Sequence, residues 1–233
     1  MPLYGLDVSE HQNGMYLHRA QAEGYDFVII RLCDGTYRDK IFGSHLQDAE
    51  SAGLITSAYW YLRAPSEGST IAQQVDVIDQ QMGGRRDLGV WIDVESVSRN
   101  HQLLLTGDDV WAAKRELESR GYHVPGIYSG AWYWENMPGG EPSMDGLGAL
   151  WVSNYGSNGY GTAAQLYPGD TDRRWNYPLG NHAPDILQYG SNCYAAGYPG
   201  VVDVTAYRRS HDALRHLYHG NYTPPPPTAA TPS

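Results

Sequence analysis

The feature that most constrains the fold is a series of eight strand-like runs, with helical patterns after only the first five or so. The runs cover residues 3–8, 26–33, 54–62, 88–94, 124–130, 147–155, 184–190 and 200–207. Helices are predicted over residues 15–23, 42–52, 66–81, 106–120 and 212–219, with Ser66 as a candidate cap of the third. Alternating strands and helices indicate a parallel sheet. The chain is therefore predicted to be an α/β protein with an irregular TIM-like barrel, not a full (β/α)₈ ring.

The fourth run ends in two carboxylates. The segment LGVWIDVES (88–96) begins apolar and places Asp93 and Glu95 two positions apart. In a strand these side chains share one face, with backbones about 6.6 Å apart. Carboxyl groups at roughly this separation can flank a glycosidic bond, and each raises the pKa of the other, so that one acts as acid while the other stays ionised. The pattern alone also fits a solvated strand edge or a helix N-cap.

Other polar residues end other strands. Asp7 ends the first, Gln188 the seventh and Asp203 the eighth. In barrels of this kind the chemistry lies at the carboxyl ends of the strands. We therefore expect the carboxylates to converge at one mouth, accompanied by the aromatic residues Tyr59, Tyr61, Tyr128, Trp151 and Tyr155.

Composition narrows the functional classes. A net charge of −10 argues against nucleic acid and anionic membrane surfaces as partners. No apolar run reaches the roughly 18 residues of a membrane span, so no membrane insertion is expected. Two cysteines, Cys33 and Cys193, are too few for a disulfide framework and are expected to be free thiols. The 19 tyrosines and 7 tryptophans against 2 phenylalanines suit a sugar site, or tyrosines in half-exposed core positions.

Several segments, taken in chain order, resemble the muramidases of glycoside hydrolase family 25. GLDVSEHQ (5–12) resembles the family's opening Asp-x-Ser-x-x-Gln, and WIDVE (91–95) resembles its central Asp-x-Glu. The further matches are FVIIRLCDG (27–35), GLITSAYWYLR (53–63), GIYSG (126–130), LWVSNY (150–155), LQYGS (187–191) and VDVTAYR (202–208). Trp60 departs from the family's usual His, but strand alternation turns it away from Tyr59 and Tyr61. The stretch 156–183 has no clear family counterpart.

The resemblance implies a (β/α)₅(β)₃ barrel that hydrolyses the β-1,4 bond between N-acetylmuramic acid and N-acetylglucosamine in bacterial peptidoglycan, with retention. Glu95 stands at the family's general acid/base position. Asp93 stands at that of the carboxylate that attacks the anomeric carbon or supports the substrate's own acetamido group. Asp7 and Asp203 match acidic positions lining the groove, and the matches near the cleaved sugar are Tyr59, Tyr128, Trp151 and Gln188. We add Tyr61 to the substrate-binding set, and expect no metal, no cofactor and a monomer.

The two ends of the chain carry further expectations. Residues 1–220 are expected to form the catalytic domain, and the Pro-rich stretch 221–233 (NYTPPPPTAATPS) a linker to a wall-binding domain. The start, MPLYGLDVSEHQ, lacks the pattern of a secretory signal. Together these features favour a phage endolysin, made in the host cytoplasm and then released to the cell wall.

Three alternatives remain open at this level. The first is a metal-dependent barrel hydrolase that uses Asp7, His11, Asp93 and Asp203. The second is a wall glycan-binding module without turnover. The third keeps the enzyme but takes chitin as its substrate, because chitin carries the same acetamido group.

Overall fold

The computed structural model describes residues 1–220, in which eight strands close into a barrel and a ninth, two-residue strand pairs at its edge. The strands are β1 Leu3–Val8, β2 Phe27–Asp34, β3 Tyr37–Arg38, β4 Ile55–Tyr61, β5 Val90–Asp93, β6 Gly126–Gly130, β7 Ala149–Ser153, β8 Ile186–Cys193 and β9 Val202–Tyr207. Around the barrel the order is β1, β2, β4, β5, β6, β7, β8 and β9, and β1 pairs with both β2 and β9. The pairs are parallel from β1 to β8, whereas β9 runs antiparallel to both of its neighbours. The predicted eight-strand irregular barrel is confirmed.

A helix follows each of the strands β1, β2, β4, β5 and β6, as the (β/α)₅(β)₃ pattern requires. The helices are α1 Leu17–Ala22, α2 Phe42–Ser51, α3 Ile71–Met82, α4 Gly107–Ser119, α5 Ala131–Trp134, α6 Ala163–Leu166 and α7 His211–His219. The prediction that α3 begins near Ser66 was wrong. Residues Pro65–Glu67 form a separate 3₁₀ turn, and Thr70 caps α3 by accepting a hydrogen bond from Gln73 N at 3.1 Å.

The outer face of the barrel packs against the helices. Trp60, on β4, is fully buried on this outer side and donates from Nε1 to Gln74 Oε1 of α3 at 3.1 Å. The neighbouring Tyr59 packs instead against the cluster inside the barrel. The prediction that Trp60 faces away from Tyr59 is therefore confirmed.

Aromatic rings fill the barrel interior, and α7 closes its lower end. The Tyr218 ring of α7 packs edge-to-face on Phe27 and Trp91, with centroids 6.0 and 6.2 Å apart. Above this layer Trp91 contacts Trp151 at 5.8 Å, and Trp151 contacts Tyr128 at 4.5 Å. Since edge-to-face and tilted aromatic packing is dense and directional, these rings form a firm floor beneath the open, carboxyl ends of the strands.

The remaining predictions about the fold concern thiols, membranes and the tail. Cys33 and Cys193 are both buried and free, which confirms the thiol prediction. Within residues 1–220, every helix is too short or too polar to cross a bilayer. The predicted linker 221–233 lies outside the described residues.

Candidate active site

The first wall of the site is built on β1, β8 and β9. Asp7 and Asp203 are direct partners across the antiparallel β1–β9 pair. Gln188 of β8 donates from Nε2 to Asp7 Oδ2 at 2.8 Å, and its Oε1 accepts from the hydroxyls of Tyr128 at 2.8 Å and Tyr155 at 2.6 Å. With both ends of its amide engaged, Gln188 has one orientation, and that orientation fixes Asp7.

The opposite wall carries the central acid pair. Asp93 is the last residue of β5, in register with Tyr61 and Tyr128 on the neighbouring strands, and is only 3% exposed. Its Oδ1 is buried without a hydrogen-bond partner among residues 1–220. Glu95 follows two positions later and is partly exposed, with its carbonyl accepting from the Tyr61 hydroxyl at 3.3 Å. The backbone of the pair is thus held in place while both carboxyl groups remain free to meet a ligand.

Burial raises the pKa values of all four carboxyl groups, and neighbouring carboxyl groups raise those of Asp93, Glu95 and Asp7 further. Burial, followed by the charges of Glu95 and Asp7, raises the pKa of Asp93 well above its usual value. Burial, and then Asp203, raises the pKa of Glu95 to about 7. For Asp203, burial raises the pKa to about 6. Burial, with Asp203 as the next cause, raises the pKa of Asp7 well above its usual value.

The two members of the central acid pair differ in how deeply they are buried. Asp93 is the more deeply buried member of the pair, so burial penalises its ionised form more strongly. The pair nevertheless holds exchangeable protons near neutral pH, which is the property that general acid/base chemistry needs.

All nine residues predicted for the site line the same interior or its mouth. Tyr59, for example, packs edge-to-face on Trp151 at 6.2 Å, directly within the aromatic floor. Trp151 itself is 1% exposed, and its Nε1 has no hydrogen-bond partner among residues 1–220. The structure therefore brings the predicted set together, although it does not by itself assign their roles.

Arg31 belongs to the site region and was missed in the sequence. It is nearly buried on β2, in register with Tyr59, and pairs with Asp39 at 2.9 Å and Glu10 at 3.6 Å. Its charge lowers the pKa of Asp93 and so offsets part of the effect of burial. Arg31 was missed because the run DFVIIRLC was interpreted as a continuous apolar strand. Strand alternation counted from Phe27 places Arg31 on the inner face.

Trp132 was also missed. It lies immediately after β6 and is 52% exposed. A Cβ added to Gly130 would come within 2.7 Å of the Trp132 ring and 2.8 Å of Ser153 Oγ, so the indole lies over the ends of β6 and β7. An exposed indole beside a carboxylate-lined mouth is a suitable platform for a sugar ring. No periodic pattern could reveal it, because it stands in a four-residue helix.

The metal ligands of the alternative interpretation are not assembled. His11 is exposed in the 3₁₀ turn that follows β1. Within residues 1–220 no group of three or more His, Cys, Asp or Glu side chains is arranged to hold a metal ion.

Comparison with known proteins gives a consistent result. Residues 6–198 match the sequence profile of Glycosyl hydrolases family 25. Lysozyme M1 of Streptomyces globisporus is 26% identical over 162 residues, which are 65% of this chain and 54% of that protein, so the chain spans about half the length of this curated relative.

Solved structures share the fold. The muramidase from Trichobolus zukalii superposes with a TM-score of 0.70 at 25% identity, over 94% of this chain and 100% of that one. The bacterial lysozyme from Streptomyces coelicolor gives a TM-score of 0.73 at 23% identity, over 95% and 99% of the two chains.

Proposed function

The chain belongs to glycosyl hydrolases family 25, and from this premise we propose that it is a muramidase, cutting the β-1,4 bond between N-acetylmuramic acid and N-acetylglucosamine in bacterial peptidoglycan. The observation that carries the proposal is the Asp93–Glu95 pair at the mouth of the barrel, with Asp93 buried, Glu95 partly exposed and both pKa values raised. Two carboxyl groups that share protons beside an aromatic floor match the needs of glycoside hydrolysis.

Glu95 is the general acid and base in this proposal. With its pKa at about 7, a substantial fraction is protonated near neutral pH and can donate to the glycosidic oxygen. It is also the more exposed member of the pair, and so the one that a leaving group and the incoming water can reach. After the bond breaks, the same carboxylate accepts a proton from the attacking water, and configuration is retained.

Asp93 stabilises the positive charge that develops at the anomeric carbon. Its unpaired Oδ1 is a free acceptor in a dry position, which suits the N–H of a substrate acetamido group. A bound N–H and a developing cation both favour the ionised form, so substrate engagement lowers the pKa of Asp93.

Two retaining routes are consistent with this arrangement. Asp93 attacks the anomeric carbon directly, or it supports attack by the acetamido oxygen of the substrate. An analogue without the acetamido group separates the routes, because efficient cleavage of that analogue is possible only by direct attack.

The remaining residues hold the sugar. Gln188 orients Asp7, and Tyr128 and Tyr155 orient Gln188, so these groups present a fixed hydrogen-bonding wall. Trp151 and Tyr59 provide the floor beneath the sugar ring.

The decisive experiment identifies the new reducing ends released from purified bacterial peptidoglycan, by borohydride reduction and mass spectrometry. Muramic acid ends support the proposal, whereas glucosamine ends mean that the glycan binds in the opposite register. Binding without new ends would favour the glycan-binding module, and loss of activity in a chelator would favour the metal hydrolase. Glu95→Gln is the control for contaminating activity.

The setting of the reaction is part of the same proposal. We infer that the protein acts as a monomer on glycan strands of the wall, which light scattering of the purified protein tests. The phage endolysin origin and the route from host cytoplasm to wall remain predictions.

A further inference from the structure

Residues of the stretch 156–183, together with Asn154, line a cavity of about 500 Å³. We call it the arginine pocket, and its lining residues are Asn154, Gly156, Asp172, Arg173, Arg174, Asn176 and Tyr177. Asn154 and Gly156 flank Tyr155, whose hydroxyl reaches Gln188 in the site at 2.6 Å. The pocket therefore borders the groove, and its volume lies within the roughly 300–1,000 Å³ typical of small-ligand sites.

The pocket has surplus positive charge in a protein whose net charge is −10. Its two arginines face one carboxylate, Asp172. Arg174 occupies that carboxylate with two hydrogen bonds, Nε to Oδ1 at 2.8 Å and Nη2 to Oδ2 at 3.2 Å. Arg173 is exposed, and no acidic side chain of residues 1–220 lies within ion-pair distance of it. One guanidinium is thus left for an external anion.

The local backbone is built around this arrangement. Gly156 has φ +58°, and a Cβ there would lie 2.9 Å from Arg174 Nη1. Arg174 also reaches the carbonyl of Asn154 at 3.4 Å. The hydrogen bond from Arg174 to Asn154 therefore ties the 3₁₀ turn Arg173–Asn176 to the end of β7, and Arg173 lies in the pocket wall as part of that turn.

We propose that the arginine pocket binds a carboxylate carried by the muramic acid of the substrate strand, through Arg173. The inference rests on the proposed function and adds a subsite to it. The sugar rings of the glycan are otherwise neutral, whereas muramic acid bears a lactyl group and, attached to it, a peptide stem with free carboxylates. A planar guanidinium with its fork of N–H donors pairs well with a carboxylate. The carboxylate comes from the stem or, where the stem has been removed, from the lactyl group, whose carboxyl is otherwise held in the amide bond to the stem.

The test is a binding measurement, so that it does not depend on turnover. Soluble glycan fragments with intact stems, and the same fragments after an amidase has removed the stems, are titrated calorimetrically into Glu95→Gln protein with and without Arg173→Ala. Arg115→Ala in the same background is the matched control, because Arg115 is an exposed arginine on the outer helix α4. Equal unfolding midpoints show that each variant is folded.

We expect Arg173→Ala to weaken binding of stem-bearing fragments by about three- to tenfold, and Arg115→Ala to leave it unchanged. Loss confined to stem-bearing fragments assigns the stem carboxylate, whereas loss confined to the stem-free fragments assigns the lactyl carboxylate, which only the amidase frees. Loss on both fragments means that Arg173 accepts either carboxylate. Unchanged affinity for both, or equal losses in Arg173→Ala and Arg115→Ala, overturns the proposal. Failure of the muramidase proposal would show separately, as an absence of new reducing ends with the unmodified protein.

Discussion

At the scale of single residues, Glu95 combines a fixed backbone with a titratable side chain near neutrality. Tyr61 donates to its carbonyl at 3.3 Å, and Ser129 Oγ donates to the carbonyl of Val94 at 2.7 Å. Val94 N in turn donates to the carbonyl of Tyr128 at 2.8 Å. Since the backbone is tied on both sides, little conformational freedom is lost when the carboxyl group engages a substrate.

Replacing Glu95 by Gln should reduce turnover by about 10²–10⁴-fold, because the amide can neither donate a proton to the leaving oxygen nor accept one from water. The measurement is the rate of reducing-end release from peptidoglycan. Glu118→Gln is the control, because Glu118 is an exposed glutamate on the outer helix α4. A Glu95→Gln protein that keeps most of its activity would remove Glu95 from the mechanism.

The same substitution should stabilise the folded protein at alkaline pH. The pKa of Glu95 in the folded state is raised from 4.5 to about 7, so folding becomes less favourable as pH rises between these values. The penalty is complete above pH 7 and absent below about 4.5, and we expect Glu95→Gln to recover about 3 kcal/mol at pH 8. Urea unfolding at pH 8 and pH 4.5 checks this. A gain of equal size at both pH values would contradict the electrostatic cause.

The sequence correctly predicted which side of the barrel a side chain faces wherever strand alternation alone decides it. A period of two placed Tyr59 and Tyr61 inside the barrel and Trp60 outside, as the structure shows. It did not reveal Trp132, whose position depends on how a loop crosses two strand ends. It also could not show that Asp93 lies deeper than Glu95, because alternation gives the face on which a side chain lies and not its depth of burial.

At the scale of elements, Gln74 joins strand β4 to helix α3. Its Oε1 accepts from Trp60 Nε1 at 3.1 Å and from Arg63 N at 3.0 Å, and its Nε2 donates to Arg63 O at 2.9 Å. The side chain is fully buried, so water cannot replace these partners. One amide therefore sets the distance and register between the strand that carries Tyr59 and the helix outside it.

Gln74→Met should lower the free energy of unfolding by about 2–3 kcal/mol, because the side chain keeps its volume while two donors and one acceptor lose their buried partner. Gln80→Met is the matched control, since Gln80 lies on the exposed side of the same helix. Chemical denaturation measures both. If the two variants lose the same small amount, the hydrogen bonds of Gln74 contribute little to holding α3.

Element boundaries were predictable where local chemistry marks them. The capping box of α4 joins Thr106 and Asp109 through hydrogen bonds at 2.9 and 3.3 Å, as the sequence spacing indicates. The start of α3 was misplaced because Ser66 and Thr70 are both plausible caps, and only the 3₁₀ turn at Pro65 separates them. The helices α5 and α6 are too short to carry a periodic pattern.

At the scale of the whole molecule, two groups of acidic residues change the stability of the fold in opposite directions as pH rises. The four site carboxyl groups have raised pKa values. Three surface acids paired with arginines have lowered pKa values, namely Asp79, Asp87 and Asp172. For Asp79, burial raises the pKa, but the hydrogen bonds from Tyr122 and Arg120 lower it by more. The first group destabilises the fold once ionised, whereas the second stabilises it.

We therefore expect stability to be greatest in mild acid, near pH 5. Above this the site carboxyl groups ionise at increasing cost, up to and beyond pH 7. Below about pH 4 the paired surface acids become protonated and their contribution is lost. The free energy of unfolding, measured from pH 3 to pH 9, checks both limbs. A free energy of unfolding that stays level or rises from pH 5 to pH 8 would show that ionisation of the site carboxyl groups does not destabilise the fold.

Helix α7, which closes the lower end of the barrel, places residue 220 on the face opposite the mouth of the site. His219 reaches the carbonyl of Asp87 just before β5, and Gly220 lies against His123 just before β6, so residue 220 is at the lower face. Strand β1 begins at that face too, with Leu3 packed in the same cluster as Tyr218. A chemical anchor or reporter attached at either position points away from the mouth. Such a protein could be immobilised on a bead or chip with every groove turned outward to the solution.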